Sequence, residues 1–95
     1  MSVKGFKLIN GEELIARVDE VMSSKDKYVI ERPRILVPQQ VGDRLQLNLY
    51  PWVWGGGKDV TCDLGSHAIS AVFDVVPELE KEYVADTTGI QLVTG

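Results

Sequence analysis

The sequence predicts a mainly β domain, with about five strands in meander order forming a small closed or half-closed barrel and one α-helix at the C-terminal end. Three observations carry that reading. Asn10-Gly11 separates two extended runs, Arg44 to Leu49 alternates strictly between polar and apolar, and the apolar run Ala68 to Val76 is cut off by Pro77.

Lys4 to Ile9 reads as the first strand, and Asn10-Gly11 supplies the two positive-φ positions of a type I′ hairpin turn. The second strand, Glu12 to about Val21, sets Leu14, Ala16 and Val18 against Glu13, Arg17 and Asp19, with Ile15 out of phase. One of its faces is therefore expected to be mostly wet. Ser23-Ser24-Lys25-Asp26-Lys27 forms a polar tip. The third strand starts at Tyr28-Val29-Ile30 and meets Pro33, which cannot donate to a ladder and so implies an edge, a bend or a bulge. It resumes with Ile35-Leu36-Val37 and runs to Pro38.

After the turn-like segment Gln39 to Asp43, a fourth strand places Leu45, Leu47 and Leu49 against Arg44, Gln46 and Asn48, and the leucines are expected to face the core. The same parity puts Tyr50, Trp52 and Trp54 on the opposite face, outside the core. Gly55-Gly56-Gly57 is a flexible turn, and Val60-Thr61-Cys62 reads either as a short strand or as a loop segment. Ala68 to Val76 is apolar on one face through Ile69, Ala71, Phe73 and Val75, and partly on the other through Ala68 and Val72, which suggests burial on both sides. Pro77 fits the first position of a helix, Glu78 and Glu80 lie near its positive end, and Leu79 and Tyr83 share a face. Gly89 is its stop. Ile90 to Val93 either docks as an edge strand or hangs free.

A chain of 95 residues suits one domain. Folding should hide roughly 60–65% of its surface, for a stability of about 5–10 kcal/mol, so further burial between subunits would stabilise it materially. A net charge of -4 and a pI near 4.8 argue against a general nucleic-acid or anionic-membrane binder, while leaving room for a local basic patch. A single cysteine, Cys62, excludes an internal disulfide. Met1-Ser2-Val3-Lys4 lacks the apolar run of a signal peptide, and there is no apolar stretch of about 18 residues, so the expected location is the cytoplasm.

Leu8-Ile9-Asn10-Gly11-Glu12-Glu13-Leu14-Ile15-Ala16-Arg17-Val18 is similar to the first motif of the Sm-like (LSm) family, apolar-x-Asn-Gly-x-x-apolar. Tyr28-Val29-Ile30-Glu31 falls where that family has an Asn-Leu-Val-Leu run. The likeness spans about residues 4–76, the barrel of a single domain over 1–95, with the helix at about 77–88 and a tail at 89–95. The helix is at the opposite end from the family's usual N-terminal one. Leu8 to Val18 and Glu31 to Pro38 also resemble Sm-like proteins encoded by marine cyanophages, which would place the chain in the host cell's cytoplasm.

The resemblance implies a strongly bent, SH3-like five-stranded barrel without catalytic activity. It also implies a homo-oligomeric ring of about five to seven subunits, in which the fourth strand of one subunit pairs with the fifth of the next. Tyr50, Trp52 and Trp54, with Ala68, Ser70 and Val72, are then expected at the subunit contact. The family binds single-stranded RNA near the loop after the second strand and just ahead of the last strand. Those positions fall on Lys25, Asp26 and Lys27 and on Gly65, Ser66 and His67. The chain departs from the family there. Asp26 or Lys27 stands where a base-holding Asn is usual, and Gly65-Ser66 replaces an Arg-Gly pair, so a non-standard site is expected.

The remaining candidates have bland readings beside them. Tyr50, Trp52 and Trp54 could stack on bases, at about 1–3 kcal/mol each, but aromatic residues are also enriched in protein interfaces. Lys25, Lys27, Arg32 and Arg34 are the only basic concentration. A ring would repeat it, yet it also reads as solvated charge interleaved with Asp26 and Glu31. His67 with Cys62, Asp63 or Asp59 is too small a set for a metal centre or a nucleophile pair. No cofactor, metal, catalytic residue, small-molecule substrate or membrane is therefore expected. Gly55-Gly56-Gly57-Lys58 lacks the spacing of a phosphate-binding loop, and Glu78, Glu80 and Glu82 read as a wet helix face. The rival from another class is a protein-interaction or scaffold module that binds a phage or host protein through an edge strand.

Overall fold

The structure is a computed structural model and describes residues 2–89. Six strands, a 3-10 turn and a helix follow one another: β1 (Ser2–Leu8), β2 (Glu13–Asp19), β3 (Lys27–Val41), β4 (Arg44–Pro51), β5 (Thr61–Gly65), the turn Ser66–Ala68, β6 (Ile69–Asp74) and α1 (Pro77–Thr88). Every pairing is antiparallel. The strand order is β4-β3-β2-β1-β6, with β5 beside the first half of β3, so among the described residues the sheet is open and β4, β5 and β6 each have one neighbour. The strand count is six because Thr61–Gly65 pairs with the first half of β3. Ile90 to Val93 lie outside the described residues.

The β1–β2 connection falls at Asn10-Gly11, but with a different turn from the one the dipeptide predicts. Leu8 N–H donates to the Glu12 carbonyl at 2.8 Å, Gly11 N–H donates to the Leu8 carbonyl at 2.9 Å, and among the loop's residues only Gly11 has a positive φ, +92°. This is a three-residue loop of a type I turn followed by a glycine bulge. Asn10 keeps an ordinary φ, and its side chain accepts from Glu12 N–H at 2.9 Å instead.

Phe6 and Leu8 of β1, Leu14, Ala16 and Val18 of β2, Ile30 of β3 and Leu64 of β5 form one buried cluster, with Tyr28, Trp52 and Ile69 packed against it. β1 and β5 are separated in the sheet by β2 and β3, so the sheet must curl for their side chains to meet. Trp52 thus belongs partly to the core, a correction to the expectation that it lies outside. Its indole N–H reaches Glu12 Oε1 at 3.3 Å.

The outer face of β2 is only partly wet: Glu13, Arg17 and Asp19 keep some exposure, and Ile15, the residue out of phase, is covered. Ile15 is buried there with Leu79 and Tyr83 of α1, and Val3, Leu36, Leu49 and Val75 pack around them. An isolated helix of 12 residues is marginal in water, so α1 owes its stability to this apolar contact. It starts at Pro77 and ends at Gly89, whose φ of +70° is the left-handed cap that glycine takes most readily.

Beneath α1 the ladder slips. The β2–β3 register shifts between Ile15 and Arg17, and opposite that slip Arg32 takes a φ of +50°. The Tyr83 hydroxyl accepts from Arg17 N–H at 3.0 Å and faces the carbonyls of Glu31 at 2.9 Å and Arg32 at 3.1 Å, to which it donates. Pro33, next in sequence, is fully buried, and its carbonyl accepts from Trp52 N–H at 3.2 Å. Arg34 is only 2% exposed. Its Nε donates to Asp86 Oδ2 at 2.7 Å and its Nη1 to the Lys58 carbonyl at 2.8 Å, tying α1 to the loop before β5.

β3 and β4 continue beyond this body as a two-stranded arm. The pairing runs without a break from Arg34↔Pro51 to Val41↔Arg44, so only Gly42-Asp43 turns, and Gly42 has φ +60°. Leu45 and Leu47 are 65% and 38% exposed, which overturns their assignment to the core. Of the three leucines only Leu49, opposite Leu36, joins the apolar cluster under α1, and among the described residues nothing covers those nearer the tip. β6 is likewise not buried on both sides. Among the described residues it has β1 as its one neighbour, and Val72 is 42% exposed.

Candidate functional site

Two surfaces could bind something. The first is where the β2–β3 loop meets the junction of β5 and β6. Pairing of β3 with β5 sets Lys27 opposite Gly65. Ser66 then clamps the loop from the other side, its N–H donating to the Asp26 carbonyl at 2.9 Å and its hydroxyl to the Lys25 carbonyl at 2.8 Å. Lys25, Asp26, Lys27, Gly65, Ser66 and His67, which are far apart in sequence, therefore form one rim. The His67 ring lies over Gly65, so that a Cβ there would come within 2.5 Å of Cε1 and the exposed imidazole would have to swing aside.

A cleft of about 290 Å³ opens beside this rim, lined among others by Ser24, Lys25, Tyr28, Ser66, Ile69 and Ser70. Its hydroxyls and one ammonium suit a polar or anionic group. The cation content is smaller than the sequence suggests. Lys27 Nζ is held by Asp63 Oδ2 at 2.9 Å, Arg32 faces Asp59 at 3.4 Å, and Arg34 is buried against Asp86. Of the four residues in the basic concentration, Lys25 alone has no ion-pair partner among the described residues. Cys62 is half-buried, and that burial pushes its thiol up, away from the reactive thiolate. Among the described residues no three His, Cys, Asp or Glu side chains come together as metal ligands, and no helix is long and apolar enough to cross a membrane.

No protein-family model matches the chain, and no curated protein matches it in sequence.

The residues expected at a subunit contact are divided between opposite ends of the sheet. Tyr50 lies on β4, and exposed Trp54 follows it at 77% exposure. Ser70 and Val72 lie on β6. Ala68 and Ser70 already hold β1, through Ile9 N–H to the Ala68 carbonyl at 2.9 Å and Ser70 Oγ to the Lys7 carbonyl at 3.1 Å.

The second surface was not foreseen. A trough of about 490 Å³ runs between β4 and α1, with Leu45, Leu47, Leu49 and Leu79 as its floor and Glu78 and Glu82 along one wall. The strict leucine alternation was its signal, but what lies over those leucines depends on where α1 returns.

Proposed function

We propose that the chain is a non-catalytic Sm-like subunit, its curled sheet a strongly bent SH3-like barrel, and that copies of it close into a homo-oligomeric ring. One observation carries the reading. Among the described residues β4 and β6 each keep a free backbone edge, and the middle of each, Leu45 to Tyr50 and Ser70 to Phe73, carries no charge or proline of the kind that blunts an edge; Arg44, Pro51 and Asp74 stand only at the strand ends. Pairing the Tyr50 end of β4 with β6 of the next copy is a head-to-tail contact, which makes a ring where the rotation closes.

The resemblance of Leu8 to Val18 supports the family, and the likeness to phage-encoded members supports a cytoplasmic setting in the host cell. Single-stranded RNA is the proposed ligand, at the rim from Lys25 to Lys27 and Gly65 to His67, repeated in each subunit. Size-exclusion chromatography with light scattering tests the assembly, with an expected mass of about five to seven times 10.5 kDa. A monodisperse monomer at micromolar concentration overturns it. Fluorescence anisotropy with U-rich and A-rich RNA at low salt tests the ligand, and absence of binding removes RNA.

A second reading, a module that binds another polypeptide along an edge strand, is favoured by the exposed leucines of the arm.

A further inference from the structure

We propose that the trough between β4 and α1 takes an extended segment of a partner polypeptide carrying both apolar and Lys or Arg side chains. This deepens the second reading and rests on it. The arm is two-stranded beyond the body, and a lone two-stranded ribbon is marginal in water, so a third strand along β4 would complete it. A segment hydrogen-bonded to that edge places alternate side chains beside Leu45, Leu47 and Leu49, with Cβ atoms roughly 4.5–5.5 Å apart.

Charge complementarity selects the partner. Glu78 and Glu82 stand one helical turn apart on the wall and have no ion-pair partner among the described residues, whereas Asp86 farther along is already held by Arg34. A Lys or Arg in the segment can lay its aliphatic stem over the leucines and reach those carboxylates with its head. An acidic segment meets repulsion. A second copy's β6 is a poor occupant, because its one charged residue is Asp74. The proposed ring contact at Tyr50 leaves the arm end, Leu45 to Leu49, free for the partner.

The test uses the full chain and two labelled, end-blocked octapeptides. In both, threonine alternates with a second residue, which is in turn valine and lysine in one peptide and valine and glutamate in the other. By anisotropy at low salt the lysine peptide should bind at least about tenfold more tightly than the glutamate peptide. The exposed double substitution Glu78→Gln/Glu82→Gln should erase that preference, and Leu47→Asp should abolish binding. Equal affinity for the two peptides, no binding of the lysine peptide, or binding that survives both variants overturns the proposal. Light scattering on the same samples keeps it separate from the ring. A monomer that binds the lysine peptide sinks the ring alone. An assembly that Leu47→Asp breaks, with no peptide bound by the unsubstituted chain, assigns the trough to a second copy and sinks the proposal.

Discussion

Tyr83→Phe removes one oxygen and asks whether α1 is pinned to the sheet or only adsorbed on it. The ring keeps its apolar contact with Ile15 and Leu79, so the change falls on the hydroxyl's partners: Arg17 N–H and the carbonyls of Glu31 and Arg32. Those groups sit at the β2–β3 register slip, and Tyr83 is fully buried, so water cannot replace the hydroxyl without displacing the helix. Orphaning a buried N–H costs about 1–3 kcal/mol, and the lost bond to a carbonyl adds about 1 kcal/mol, for a loss of about 2–4 kcal/mol. Each kcal/mol lowers the Tm of a domain this size by about 4–8 °C, so a fall of at least about 8 °C is expected. Urea and thermal unfolding measure it, and amide exchange at Arg17 should quicken. A Tyr83→Phe variant within about 0.5 kcal/mol of the parent, with Arg17 exchange unchanged, would refute the pinning argument.

Burial also pushes the Tyr83 phenol above its ordinary value. The folded state then holds that proton after the unfolded chain has released it, so this stability is complete below about pH 10 and is lost as pH rises through the folded value. Urea midpoints across that range should decline less in Tyr83→Phe. Gly5 lies under the Phe73 ring, and a Cβ there would be 2.2 Å from Cε2. Gly5→Ala should therefore cost about 1–3 kcal/mol by thermal unfolding, and adding Phe73→Leu should recover part of it.

Local chemistry was legible and distant coverage was not. Pro77 and Gly89 mark both ends of α1 because caps depend on one or two residues, and Leu79 with Tyr83 marks its buried face by spacing alone. Asn10-Gly11 placed the first hairpin but not its turn type, since the Asn10 side chain binds Glu12 N–H while Gly11 takes the positive φ. The leucines of β4 show why periodicity falls short. Alternation says that one face is apolar, but the return of α1, far along the chain, decides that Leu49 is covered and Leu45 is not. Arg34 reads as solvated strand charge because its partner, Asp86, is 52 positions away. The rim from Lys25 to Lys27 and Gly65 to His67 came from family resemblance, and the β3–β5 pairing supplies the physical cause of its assembly.

The two terminal strands also discriminate among ways of assembling. An isologous dimer through β4 would cover one arm with another and leave β6 bare on each copy, while a dimer through β6 would leave both arms bare. Either product keeps an open strand edge whose central residues are uncharged, which is a template for further pairing. Only head-to-tail pairing occupies the Tyr50 end of β4 and one β6 in every copy, and only closure ends it with no β6 left bare, the Leu45 to Leu49 stretch staying open for the partner segment. A dimer that remains a dimer with rising concentration would mean that a bare β6, or a bare Tyr50 end of β4, is tolerated in water, and the case for the ring, which rests on their being covered in every copy, would fail with it.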